Sequence, residues 1–205
     1  AWSKTEDPNA PYRAMSLLQR LIDLYENTNN ENFKPDIMIY TSVMQCWVKS
    51  KKSEAPEEAE SILRQLQKME RDGDNKMTPD TACWNSAIAA WASAGNGERA
   101  EALFLEMIDS YQMNPRYGAS PNEITLTNAL NAWAKTRSPL ASERAIALVE
   151  KIEQFYTDKI INVKPNAVNY SVVLDCLAYA KKSSAAEYAE SMLQKMSTSD
   201  DPRSE

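Results

Sequence analysis

Apolar side chains return along this chain at i, i+3, i+4 and i+7, four times in one register. The sets are Tyr40, Val43, Met44 and Trp47; Trp84, Ala87, Ile88 and Trp91; Leu126, Ala129, Leu130 and Trp133; and Tyr170, Val173, Leu174 and Leu177. That spacing lines one face of a helix. A second kind of ladder alternates with the first and opens on alanine. It comprises Ala14, Leu17, Leu18, Leu21; Ala59, Ile62, Leu63, Leu66; Ala100, Leu103, Phe104, Met107; Ala145, Leu148, Val149, Ile152; and Ala189, Met192, Leu193, Met196. The small opening residue lets two helices approach closely where they cross. Gly95-Asn96-Gly97 breaks one helix from the next. Pro35, Pro79, Pro121 and Pro165, each followed by Asp or Asn, close the units.

The closing prolines stand 44, 42 and 44 residues apart. A steady period of this size predicts an array in which each unit buries its apolar face on its neighbour. The expected fold is all-α: a right-handed α-solenoid of stacked helix-turn-helix hairpins. The expected division is a partial unit holding only a second helix over 1–36. Full units follow over 37–80, 81–122 and 123–166, and a last unit with a frayed tail over 167–205. Pro56-Glu57-Glu58 marks a helix start, since proline suits the first turn and carboxylates suit the dipole there. Ser184 with Glu187 reads as a capping box. No segment alternates with period two for long enough to be a strand.

Composition narrows the chemistry more than the fold. Histidine is absent, and the three cysteines, Cys46, Cys83 and Cys176, form no CxxC pair. His-based catalytic triads and most zinc sites are thereby removed, and the cysteines read as small buried apolar residues. No Gly-rich phosphate loop is present, so no catalytic residue, metal or cofactor is expected, and neither is a small-molecule substrate. No apolar run approaches the 18 residues a membrane helix needs. The chain starts at Ala1-Trp2 without Met, partway through a unit, and reads as a piece of something longer with no targeting segment in view.

One row of residues is not consumed by the ladders. The position after the first residue of each first-helix ladder is Thr41, Asn85, Thr127 and Ser171, all short and hydrogen-bonding. Three places earlier stand Met38, Ala82, Ile124 and Val168, all apolar. Two explanations are open for each row. The polar row suits either a solvated helix face or a ligand's edge. The apolar row suits either a staple at the helix start or a flat partner.

The unit as a whole resembles a pentatricopeptide repeat. Repeats of that family open on an apolar residue, carry a tyrosine-like aromatic fourth and a short polar residue fifth, and have alanine in the second helix. They end with Phe-x-x-Met and a closing Pro-Asp or Pro-Asn. The stretch TACWNSAIAAWASAGNGERAEALFLEM with Pro121-Asn122 carries nearly all of this, and IMIYTSVMQCWVKS and AVNYSVVLDCLAYA match its first helix. The resemblance covers about residues 11–196. It departs in length: family repeats have about 35 residues. Three units here carry three extra residues between helix landmarks, and all have longer tails such as 114–120. The tetratricopeptide repeat, the rival helical hairpin, has a W-x-x-L-G-x-x-Y pattern that is missing here.

The resemblance implies single-stranded RNA binding at one base per repeat. In this family the fifth and closing residues hydrogen-bond a base edge, and apolar neighbours sandwich the ring. Carried over, Thr41 with Asp80 resembles the pair for guanine. Asn85 with Asn122 resembles a pyrimidine pair, cytosine more than uracil, and Thr127 with Asn166 the pair for adenine. Ser171 has no clear closing partner. Met38, Ala82, Ile124 and Val168 become the stacking residues, and the implied core is 5′-G-(C/U)-A-3′. The family mostly serves mitochondria and plastids, so a role in organelle RNA processing, stability or translation is implied.

Charge bears on that expectation. The chain carries a net −6, whereas nucleic-acid binders are usually basic. The first-helix windows 37–52, 81–95, 123–137 and 167–182 nevertheless hold Lys49, Lys51, Lys52, Lys135, Arg137, Lys181 and Lys182 against Glu123 and Asp175. Lys49 and Lys135 occupy equivalent places, suited to phosphates, although lysine also favours helix C-termini for its dipole. A protein-interaction scaffold, using the same groove for a peptide or partner helix, is the alternative function.

Overall fold

A computed structural model describes residues 7–115, 118–180 and 185–199. Within them the chain forms helices α1 (Ala10–Thr28), α2 (Ile37–Ser50), α3 (Ala55–Arg71), α4 (Thr81–Ala94), α5 (Gly97–Met113), α6 (Glu123–Thr136), α7 (Ala141–Thr157), α8 (Ala167–Ala180) and α9 (Ala185–Ser199). Single 3₁₀ turns at Glu31–Phe33 and Asn75–Met77 lie in the connectors, and no strand occurs among the described residues. Ser184, Lys181 and Lys182, Ala1 and Trp2, and the Met196 side chain lie outside what is described.

The closing dipeptides act as helix starts. Asp36, Asp80 and Asn122 each cap the next first helix, accepting the N–H three residues on at 2.9, 2.8 and 3.0 Å. Such side chains satisfy one of the donors that a helix start leaves open. At the other end, Gly95 ends α4 with φ +71°, where glycine avoids the Cβ clash. The Gly95 and Asn96 N–H groups return to Ala92 and Trp91 carbonyls, the double bond of a Schellman stop. Lys51 and Arg137 take the same left-handed position after α2 and α6.

First helices stack directly on one another, α2 on α4, α4 on α6 and α6 on α8. Each of α3, α5 and α7 packs on its own first helix and on the next one, and α1 packs on α2 in the same way. This is an α-solenoid with the first helices as a continuous layer. The ladders form its core: Tyr40, Met44, Trp47, Trp84, Ile88 and Leu130 are buried, as are Leu63, Leu66, Phe104, Met107 and Val149. Trp91 and Leu174 pack half-buried against this core. Leu17 and Leu193 stay exposed, because α1 and α9 have a described neighbour on one side only. All three cysteines are free and buried, and desolvation pushes the Cys83 thiol up to about 12.

Polar clips recur between units. Glu60 on α3 accepts from the Trp91 indole at 2.8 Å and from Arg99 Nε at 2.9 Å. One unit on, Glu101 on α5 accepts from the Trp133 indole at 2.7 Å and from Arg144 at 2.7 Å. The next equivalents are Ile146 and Leu177, both buried, so an apolar pair replaces the clip there. At the first interface Met15 stands in the glutamate's place. Trp47 Nε1 is buried with no partner among the described residues, while Tyr12 meets its ring edge-on at 5.1 Å. Glu106 binds both Arg64 and Gln67 across α3 and α5. Three second-helix carboxylates, Glu60, Glu101 and Glu106, are therefore paired with arginines of adjacent second helices.

Candidate functional site

Because the first helices stack in register, their starting turns form a row along one wall. The second residues of these helices are solvent-facing: Met38, Ile124 and Val168 are 72%, 60% and 58% exposed, and Ala82 is exposed too. Large apolar groups packed as staples would be covered, and these are not. Two clefts lie between them. One, of about 320 Å³, is bounded by Ala82 and Ile124 and also lined by Asn85 and Lys49. The other, of about 220 Å³, is bounded by Ile124 and Val168 and lined by Thr127 and Asn166. Ile124 thus forms a wall of both. Met38 instead lines an apolar cleft with Leu17 and Leu21 at the α1 end.

The fifth residues divide into accessible and covered. Ser171 is exposed, and Asn85 and Thr127 are half-buried. Thr41 is only 8% exposed. Its hydroxyl donates to the Ile37 carbonyl at 2.8 Å and lies 3.1 Å from Cys83 Sγ. The polar row is therefore not uniformly open to the groove, because Cys83 packs directly over Thr41. Thr127 and Ser171 likewise donate back to the carbonyls of Glu123 and Ala167 at 2.7 and 2.8 Å.

Fifth and closing residues meet most clearly at Asn85, whose Nδ2 donates to Asn122 Oδ1 at 3.3 Å. The closing side chains keep groups beyond their capping bonds. Asp80 uses Oδ1 for the Cys83 N–H, and its side chain is exposed. Asn166 Oδ1 accepts from the Val168 and Asn169 N–H groups at 3.0 and 3.2 Å, leaving its amide NH₂ to face outward. Lys135 is exposed at the far end of α6 and lines a cleft with Arg137 and Tyr179. Lys49 and Lys135 each stand eight residues after a fifth residue, about 12 Å along the helix axis.

Sequence reading missed the third residues of these helices. Cys83, Thr125 and Asn169 are fully buried, yet each touches the fifth residue of the preceding unit. Thr125 donates to Asn85 Oδ1 at 2.6 Å, and Asn169 Nδ2 donates to Thr127 at 3.0 Å. Their signal was faint: a polar or thiol residue stands three places after Asp80, Asn122 and Asn166, whereas the apolar Ile39 stands three places after Asp36. Among the described residues no group of His, Cys, Asp and Glu side chains is arranged to hold a metal. No described helix is long and apolar enough to cross a membrane.

No protein-family model matches the chain. Curated relatives from Arabidopsis thaliana do. A chloroplastic pentatricopeptide repeat-containing protein is 26% identical over 143 residues, covering 70% of this chain and 16% of its own length. A mitochondrial one is 32% identical over 120 residues, covering 58% and 15%. A third protein of that name is 26% identical over 137 residues, covering 67% and 21%. The chain thus spans between 15% and 21% of the length of these relatives. With both ladders and a capping Asp or Asn recurring hairpin after hairpin, the chain is similar to these pentatricopeptide repeat-containing proteins over roughly half to 70% of its length.

Proposed function

We propose that this chain is a sequence-selective single-stranded RNA-binding module that seats one base per repeat and serves RNA processing, stability or translation in a mitochondrion or plastid. The observation that carries the reading is the alternation of exposed apolar walls with clefts that each hold a polar fifth residue, Asn85 or Thr127. A base in the Asn85 cleft would lie between Ala82 and Ile124, and the next, in the Thr127 cleft, between Ile124 and Val168. Stacking walls with edge-reading polar groups are what single-strand recognition requires. A peptide-binding groove has no need of slots at single-repeat spacing. The organelle is supported by the chloroplastic and mitochondrial relatives.

The finer reading is the core 5′-G-(C/U)-A-3′. Asp80 offers carboxylate oxygens to the N–H donors of guanine's pairing edge. Asn85 with Asn122 faces a pyrimidine, and Thr127 with Asn166 faces adenine. Ser171 holds a fourth, less defined position. Lys49 and Lys135 are placed for phosphates. Each base contributes about 1–3 kcal/mol, and ordering costs reduce the sum, so the affinity of this stretch is modest.

Titration against a short RNA carrying GCA and against its permutations tests this. The GCA strand should bind tightest, and log K should fall with log salt with a slope of roughly −1 to −2, as two phosphate contacts on a single strand give. Equal binding of every permutation would remove the sequence reading. Salt-insensitive binding of a protein partner, with none of RNA, would favour the interaction scaffold instead.

A further inference from the structure

Each of the three fifth residues Thr41, Asn85 and Thr127 is held by the third residue of the following first helix. We infer that Cys83, Thr125 and Asn169 are positioning residues that decide whether the side chain in front of them offers the base a hydrogen-bond donor or an acceptor. The inference rests on the RNA reading above and adds a residue to each reading unit, one that never touches the base.

The Asn85 unit shows how. Asn122 Oδ1 is fixed as an acceptor, because the Thr125 N–H donates to it at 3.0 Å. The Asn85 atom facing that oxygen at 3.3 Å must therefore be Nδ2; with the amide reversed, two oxygens would meet. The other end of the amide, Oδ1, takes the Thr125 hydroxyl proton at 2.6 Å. That hydroxyl has one proton to give; Asn122 Oδ1, 3.0 Å away, already accepts from the Thr125 and Asn85 N–H groups, so the proton goes to the shorter contact with Asn85, and the hydroxyl oxygen accepts the Asn122 N–H at 3.1 Å. The ring of bonds is closed. It leaves one N–H on Asn85, which lines the cleft, and the NH₂ of the exposed Asn122 bonded beside it, so the unit offers a ligand chiefly donors. Cytosine presents two adjacent acceptors, O2 and N3, on its pairing edge. Uracil sets an N3–H between two carbonyls and meets a donor with a donor. Locking by Thr125 thus favours cytosine over uracil.

The next unit is locked the other way. Asn169 Oδ1 accepts the Asn166 N–H at 3.0 Å, which turns Asn169 Nδ2 toward Thr127. Its N–H points at the Thr127 oxygen, while the Thr127 proton is committed to the Glu123 carbonyl. What remains on Thr127 is a lone pair, an acceptor suited to the exocyclic amine of adenine, beside the Asn166 NH₂ suited to adenine N1. At Thr41 the hydroxyl donates to the Ile37 carbonyl at 2.8 Å, and the buried Cys83 Sγ packs against its oxygen at 3.1 Å. Thr41, too, is left as an acceptor.

Competition titrations with RNAs that differ only by C or U at the Asn85 position test this in wild type, Thr125→Val and Thr125→Ser. Wild type should favour C by on the order of tenfold, the worth of one well-made edge contact. Thr125→Val should bring that ratio to about twofold or less, while the base preference at the Thr127 position stays as it was. Thr125→Ser, which keeps the hydroxyl, should restore it. A uniform loss of affinity with the C/U ratio intact would mean that Thr125 only caps α6, and would overturn the inference. Asn169→Leu repeats the test one unit on, where adenine preference alone should relax; it decides the matter if Thr125→Val does not fold. RNA binding with both ratios unchanged sinks the positioning role and leaves the RNA reading standing. No RNA binding by wild type sinks both.

Discussion

Trp133→Ala should lower the stability of the array by about 4 kcal/mol, the range for emptying a large aromatic site in a packed interior. The ring is 4% exposed and closes the interface between two hairpins. It lies so close to Gly97 that a Cβ there would come within 2.5 Å of the ring carbon Cδ2. The start of α5 has glycine where the indole needs the room. The truncation also strands Glu101, which loses its 2.7 Å indole donor and keeps only Arg144. Arg144 in turn loses the ring it lies over at 5.6 Å. Trp133→Phe separates these terms: most of the packing stays, the N–H goes, and the cost should be about 1–3 kcal/mol. Solenoid units couple only to their neighbours. Urea unfolding of Trp133→Ala should therefore split into two transitions, as units on either side lose cooperation. A single transition with unchanged midpoint would show that this interface does not couple the hairpins.

Glu60→Ala should cost about 2–3 kcal/mol. Removing one partner of a buried pair is expensive, but Arg64 and Arg99 keep contact with water and the loss falls below the fully buried case. The Trp91 indole and both guanidinium groups lose their common acceptor. The same contacts make this interface pH-dependent. Burial pushes the Glu60 carboxyl up, but hydrogen bonds from Arg99 and Trp91, with the charges of Arg99 and Arg64, outweigh it and hold the group below its ordinary 4.5. Glu106 is held down likewise, with burial opposed by Arg64 and Gln67. A carboxylate depressed in the folded state contributes stability that is complete above the unfolded value and is lost as pH falls through the folded one. Thermal melts should show the gap between wild type and Glu60→Ala full at pH 7, and narrowing once pH drops below about 4.5. A gap that is the same at pH 3 and pH 7 would mean that the charge of Glu60 does not matter.

The hairpins and their stacking were legible because burial imposes a period of 3.6 on each helix and one of about 43 on the chain. Ladders such as Tyr40-Val43-Met44-Trp47 record both. The closing Asp and Asn were legible as boundaries, and they prove to be the capping groups of the helices that follow. The clips were harder to see. Glu60 and Glu101 follow the opening alanines directly, and Arg99 and Arg144 precede theirs. Only the folded array brings Glu60 to Arg99 and Glu101 to Arg144. Third residues were harder still, since a buried Thr125 or Asn169 breaks no local rule and its partner lies some forty residues away. Thr41 illustrates the opposite error: its residue type fits the polar row, but its accessibility depends on how tightly Cys83 packs over it, which no single-helix pattern records.

The reading unit itself can be inverted without harming the fold. Asp caps a helix as well as Asn does, so Asn122→Asp keeps the start of α6 and replaces an outward NH₂ by an acceptor. RNAs that differ only in the base at the Asn85 position, titrated against wild type and Asn122→Asp, put the central claim to its most direct test. If these clefts hold one base each, wild type prefers C and the variant prefers U, whose N3–H supplies the donor that the new carboxylate seeks, with the other positions unmoved. An identical order of preference in both proteins would contradict the account.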